Sequence, residues 1–291
     1  MHDRLDKRWV PIHMAQHAPC HCERSEAISQ LISPRSPRRY APHRRQSYGA
    51  SATRNDKKNA NERLQRWLCI ELPSIEYRKA WRLQTDLVAA RKDKIIDTNV
   101  ILLLEHPLVF TVGRRGGLNN LTVSEDFLEK AGIPVIQVER GGNITFHGPG
   151  QLVMYPLINL QVARLRVVDY VEYLEEVMIR AAADWGIKAE RNPISRGVWV
   201  GNNKLGSIGI AVRRGICFHG IAFNVNLSLK PFGWINPCGL QDIGMTSMQR
   251  ELSRKVSMDQ VRESVKRHVQ AVFGVELVMT NLLELRGILQ R

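Results

Sequence analysis

Long apolar runs are missing from this 291-residue chain. Runs such as residues 100–104 (VILLL) end far short of the roughly 20 apolar residues that a membrane-spanning helix needs. Cysteine is scarce: there are five, an odd number, and no apolar leader precedes them. That excludes a disulfide-stapled secreted scaffold and points to reduced thiols in a cytoplasm. Cys20-His21-Cys22 lacks a second pair of ligands at zinc spacing, so no metal is expected. Acidic residues are in deficit, 28 Asp+Glu against 42 Lys+Arg, a net charge of +14. The excess is uneven: 14 basic and 6 acidic residues up to Arg66 give +8, leaving only +6 for the rest. A mildly basic body without an aromatic-basic platform is a weak case for nucleic-acid binding. Internal repeats, a dinucleotide fingerprint and a series of strand–helix–strand units are all absent, which excludes a doubly wound nucleotide-binding fold.

What remains is an ordinary globular composition, 44% hydrophobic, with enough chain to bury a large core. Residues 1–66 read as a disordered basic tail. They hold Pro11, Pro19, Pro34, Pro37 and Pro42 and show no apolar periodicity that could repay the cost of ordering them. Two readings of the tail stand: a targeting segment rich in Arg and Ser, or a stretch upstream of the true start. Residues 67–291 read as the folded domain. Alternation over 67–72 and short apolar runs elsewhere predict strands over 67–72, 100–105, 109–112, 133–139, 152–160, 198–200, 205–212, 217–227 and 275–279. Helices are predicted over 74–92 capped by Ser74, over 124–131, over 169–185 capped by Asp169 with Glu172, and over 257–273 capped by Ser257. Gly132, Gly186 and Gly274 close three of them. Strands in hairpin spacing with few helices give an α+β class with a mixed, largely antiparallel sheet.

Four segments carry residues that a plain scaffold does not need. The first, read as a Gly-rich loop, is Arg140, Gly141, Gly142, Asn143, Ile144, Thr145, Phe146, His147, Gly148, Pro149, Gly150, Gln151. Glycines there let the backbone approach a ligand and expose N–H groups. The second, Lys204-Leu205-Gly206-Ser207-Ile208-Gly209-Ile210, opens a strand with a lysine and continues in small residues. The third is His219-Gly220-Ile221-Ala222-Phe223-Asn224-Val225, and the fourth Asn236-Pro237-Cys238-Gly239, a turn that sets a thiol on a loop. Cys69 and Cys217 fall on predicted strands, where a thiol is apolar filler.

In this order and spacing the four segments resemble the octanoyltransferase family of lipoate biosynthesis, the lipoyl(octanoyl) transferases. The resemblance covers residues 67–277 and leaves the tail outside. It implies the α+β catalytic domain shared with biotin and lipoate ligases. It also implies transfer of an octanoyl group from octanoyl-acyl carrier protein to a specific lysine of lipoyl domains. Recipients would be the acyltransferase subunits of 2-oxoacid dehydrogenases and the glycine-cleavage H protein. Cys238 would carry the acyl thioester and Lys204 would lower its pKa. Arg140 to His147, Ser207, Ile208, Gly209, Gly220, Ile221 and Ala222 would shape the acyl pocket. No cofactor, metal, nucleic acid or membrane is implied.

The chemistry suits these residue types. A free thiol has a pKa of about 8.5, so a neighbouring ammonium enlarges its thiolate fraction at neutral pH. Exchange of one thioester for another is near energetic balance and needs no ATP. Small residues (Gly206, Ser207, Gly209, Ala222) leave room for a linear chain, and burying about six methylenes stabilises it by about 5 kcal/mol. His147 and His219 are each read either as a base in a Cys-His arrangement or as a loop-organising imidazole bonded to backbone. Two further readings compete: an ATP-dependent acid ligase on the same fold, and a basic nucleic-acid-binding module driven by the tail.

Overall fold

The computed structural model describes residues 64–193, 195–236 and 244–289. The tail up to residue 63, with Cys20 and Cys22, and the segment 237–243, with Cys238, lie outside the described residues. The elements run β1 (Gln65–Ser74), α1 (Tyr77–Lys92), β2 (Val100–Glu105), β3 (Val109–Val112), α2 (Glu125–Lys130), β4 (Val135–Gln137), β5 (Ile144–His147) and β6 (Gln151–Asn159). They continue with α3 (Val167–Ala183), β7 (Glu190–Arg191), β8 (Val198–Val200), β9 (Asn203–Arg213), β10 (Ile216–Asn224), β11 (Gly244–Met245), α4 (Met248–Leu252), α5 (Met258–Phe273), β12 (Val275–Thr280) and α6 (Leu282–Leu289).

The main sheet has the order β12-β1-β2-β6-β10-β9-β8-β7, with β11 beside β9. From β2 through β7 every neighbour is antiparallel; β12–β1, β1–β2 and β11–β9 are parallel. A second sheet, β4-β3-β5, carries the glycine-rich segment. The α+β class and the mixed, largely antiparallel sheet are as expected from the sequence. Two isolated strand–helix–strand units, β1-α1-β2 and β3-α2-β4, are present, one in each sheet, and they do not form a series.

The central strands are buried on both faces, which explains why β2 and β6 read as continuous apolar runs rather than as alternation. On one side α3 and α5 press Leu174, Val177, Met178, Val261 and Val265 onto Met154, Ile221 and Phe223. On the other, α1 covers Val153, Tyr155, Phe218 and Ala222 with Ala80, Leu87 and Val88. Cys69 and Cys217 are fully buried, and burial pushes both thiols up to about 12, as befits filler.

Several boundaries depart from expectation. Ser74 closes β1 and does not cap α1; the Glu76 carboxylate accepts from the N–H groups of Arg78 (2.8 Å) and Lys79 (3.3 Å) instead. Helix α3 begins at Val167, so Asp169 is its third residue. Its carboxylate reaches back to the Arg166 N–H at 3.3 Å and grips the Arg166 guanidinium, which overturns the expected Asp169–Glu172 start. Ser257 caps α5 as expected, accepting from the Gln260 N–H, and Gly274 closes it at φ +65°. The strand expected over 133–139 shrinks to β4, and strand β5 forms inside the stretch read as a loop.

Candidate active site

The site lies where the glycine-rich segment crosses the open face of β9 and β10. Arg140 anchors the crossing. Its buried guanidinium donates to the Thr111 carbonyl (2.6 Å) and hydroxyl (2.9 Å) on β3 and to the Gly141 carbonyl (3.0 Å). Gly141 donates its N–H to the Ile210 carbonyl at 2.8 Å, so the segment is stitched directly to β9. That N–H is committed to the fold. A Cβ on Gly113 would stand 2.5 Å from the Gly142 carbonyl, so β3 can meet the segment only through glycine.

A cavity forms between this segment and the sheet. Arg140, Gly141, Gly142, Asn143, Ile144, Thr145 and His147 line it from one side; Lys204, Ser207, Ile208, Gly209, Gly220, Ile221 and Ala222 line it from the other. The structure therefore brings together all but three of the sequence-derived residues. Phe146 turns into the core against Phe110 and Phe232, because alternation along β5 sends it to the opposite face from His147. The second is Cys238, outside the described residues. Gly206, expected among the small wall residues, faces α3: a Cβ there would meet Met178 Sδ at 2.5 Å. Tyr77, Tyr155, Phe232 and Met245 also line the cavity and were not anticipated. Tyr77 reads in sequence as part of the apolar stripe of α1; nothing local shows that the first turn of that helix opens onto a cavity.

Lys204 is 8% exposed, not solvent-facing as a strand-opening lysine usually is. Its Nζ donates to Ser195 Oγ at 2.9 Å and sits 4.7 Å from the centre of the Trp199 ring. Strand β11, which follows the segment carrying Cys238, runs beside it: Gly244 pairs with Asn203, Met245 with Lys204, and the Thr246 N–H reaches the Lys204 carbonyl at 3.0 Å. On the entering side, the Asn236 N–H is held by the Asn120 carbonyl at 2.8 Å.

Three buried imidazoles cluster at the cavity. His106 Nδ1 is 2.7 Å from the Ile75 carbonyl, so that nitrogen carries the proton and Nε2 accepts from the Tyr155 hydroxyl at 2.8 Å. Burial pushes His106 down to about 4. His147 Nδ1 donates to Gln151 Oε1 (2.8 Å); Gln151 donates to Asn224 (2.9 Å) and Asn224 to the Thr246 carbonyl (2.9 Å). This relay ties the glycine-rich segment to the chain just beyond β11. Burial also drives His147 well below its ordinary value, and His219 in the same direction. Among the described residues neither His147 nor His219 is bonded to backbone through its ring, so the expected loop-organising contact is not the one found there.

Residues 76–270 match the model of the lipoyl protein ligase A/B catalytic domain. An octanoyltransferase of Desulfotalea psychrophila is 45% identical over 215 residues, 73% of this chain and 96% of that protein. One of Syntrophobacter fumaroxidans is 43% identical over 227 residues, 78% of this chain and 99% of that protein. The chain belongs to the octanoyltransferase family.

Members of this family are acyltransferases of lipoate biosynthesis, and octanoyl transfer is the chemistry of this chain. The octanoyltransferase fold is that of lipoate–protein ligases. A lipoate-protein ligase A bound with ATP superposes with a TM-score of 0.61 at 15% identity, over 78% of this chain and 93% of that one. A bi-partite lipoate protein ligase from Thermoplasma acidophilum gives 0.60 at 16%, over 78% and 91%. No helix among the described residues is long and apolar enough to cross a membrane.

Proposed function

We propose that the enzyme takes octanoyl groups from octanoyl-acyl carrier protein through a thioester on Cys238 and passes them to a lysine of lipoyl domains, including the glycine-cleavage H protein. The observation that carries this reading is Lys204. It is a buried ammonium at a cavity walled by small residues, on the strand that pairs with β11, the first element after the Cys238 segment.

In this mechanism the Lys204 ammonium favours the Cys238 thiolate, which attacks the donor's thioester carbonyl. The tetrahedral oxyanion collapses and expels the carrier's thiolate, leaving octanoyl on sulfur. The acceptor amine then attacks that carbonyl, an amide forms, and the Cys238 thiolate leaves. The proton lost by the amine goes to the departing Cys238 thiolate. Arg140, through its grip on Thr111 and Gly141, holds the roof of the cavity, and Ser207, Gly209, Gly220 and Ala222 leave space for the chain.

Donor chemistry distinguishes this from the ATP-dependent reaction of the lipoate ligases that share the fold. Purified enzyme should octanoylate a lipoyl domain from octanoyl-acyl carrier protein without nucleotide, and fail with free octanoate plus ATP. Transfer only from octanoate plus ATP would reverse the assignment.

A further inference from the structure

The cavity floor consists of two cross-strand pairs of small residues, Ser207 opposite Ala222 and Gly209 opposite Gly220. Lys204 stands beyond one end of this corridor. His219 stands beyond the other: it pairs with Ile210, six residues along β9 from Lys204 (210 − 204), a span of about 20 Å at strand rise. There the glycines end, and the Phe218 ring stacks on His219 with centres 4.9 Å apart.

His219 faces the corridor through an unusual backbone. Along β10, Cys217 and Ile221 enter the core layer under α3, whereas Phe218 and Ala222 face α1. Alternation assigns His219 to the first set. Its φ of +56° puts the ring on the other side, at the cavity wall and 6.2 Å from the Tyr155 ring. A left-handed histidine inside a strand persists only where its surroundings fix it. Here the ladder to β6 lapses between the pairs Cys217–Ile158 and Ile221–Met154, and the facing stretch of β6 contains Pro156, which has no N–H to offer. The freed His219 N–H is taken by the buried Gln84 Oε1 on α1 at 2.8 Å.

The ring so placed is 1% exposed, and among the described residues neither nitrogen has a hydrogen-bond partner. The nearest carboxylate oxygen, Glu139 Oε2, is 3.9 Å from Nε2, beyond hydrogen-bond reach. Burial keeps the imidazole neutral against the opposing pull of Glu139.

We propose that His219 is the end wall of the acyl corridor and sets the length of the chain the enzyme accepts. The proposal rests on the reading of this cavity as the acyl site. A chain that ends before His219 leaves the ring packed on Phe218 as it stands. A longer chain has to displace a ring that is closed off from solvent and packed among Phe218 and Tyr155.

The test compares octanoyl, decanoyl and dodecanoyl carrier-protein donors on wild type, His219→Leu and His219→Gly. The glycine suits the left-handed backbone and removes the wall; the leucine keeps its bulk and removes only its polarity. The glycine variant should raise the dodecanoyl-to-octanoyl ratio of kcat/KM by about tenfold or more, and the leucine variant should stay near wild type; the glycine decides the matter alone should the leucine variant not fold. Calorimetric binding of octanoate and dodecanoate should show the same shift without turnover. A folded glycine variant that keeps the wild-type ratio in both assays would overturn the proposal. A wild-type protein that binds the acids with this preference but transfers nothing would instead remove the transfer mechanism and leave the end wall standing.

Discussion

Thr246 donates its backbone N–H to the Lys204 carbonyl at 3.0 Å. Through this bond the chain that has just passed Cys238 is fixed to the strand bearing the buried lysine. The same Thr246 receives the relay that begins at His147, so the glycine-rich roof and the lysine strand share one anchor. Breaking the relay at Asn224, with Asn224→Leu, takes one partner from the buried Gln151 amide and one from the Thr246 carbonyl. A loss of about 2 kcal/mol or more of stability, read by chemical denaturation, is expected. A denaturation midpoint equal to wild type would show the relay to be incidental.

Gly220 admits no side chain. A Cβ there would lie 2.2 Å from the Met154 carbonyl oxygen and 2.7 Å from Pro156 Cδ, both in a rigid central strand. Gly220→Ala should cost about 1–3 kcal/mol and lower Tm, whereas Ser207→Ala, on the same floor, should leave Tm within a degree or two. Equal melting of the two variants would contradict the packing described.

Acid should destabilise the fold through its buried imidazoles. His106 titrates near pH 4 in the fold against about 6.5 unfolded, so between these values the unfolded chain binds the extra proton. Its stabilising contribution is complete above pH 6.5 and falls by about 3 kcal/mol as pH drops to 4. His147 and His219, shifted in the same direction, steepen the loss. Urea denaturation at pH 7, 6 and 5 should give falling stability, with a shallower slope in His106→Gln; a flat profile would refute neutral burial.

Fold class and most strands were legible in the sequence because alternation, apolar runs and capping residues are local signals, whereas the residues that line the cavity came from the family resemblance of four separate segments. The misplaced starts of α1 and α3 arose where several polar residues compete for one cap, Ser74 with Glu76 and Asp169 with Arg166. Tyr77, Tyr155 and Ser195 join the site only through tertiary packing, and no local pattern marks them. The reversal of His219 depends on Gln84, 135 residues away, and on Pro156 across the ladder. Phe146 was misassigned because a strand inside a glycine-rich segment restores alternation.

Arg114 and Arg115 are exposed beside the roof of the cavity, their N–H groups held by the carbonyls of Arg140 (3.0 Å) and Gly142 (3.2 Å). Acidic protein substrates should be steered by them. Reversal of both charges to Glu should raise KM for donor and acceptor proteins several-fold, and added salt should slow the wild-type enzyme more than the variant. Kinetics independent of salt would remove the docking role.

The central claim is that Cys238 is the acyl carrier and Lys204 its activator. Intact-mass analysis after incubation with octanoyl-acyl carrier protein, followed by peptide mapping, tests it most directly. One octanoyl group should be found on Cys238 and none on Cys69 or Cys217, whose thiols burial holds near 12. Cys238→Ser should abolish the adduct. In Lys204→Ala the pH midpoint of Cys238 alkylation by iodoacetamide should rise toward about 8.5. An adduct on another residue, or an alkylation profile unchanged by loss of Lys204, would contradict the account.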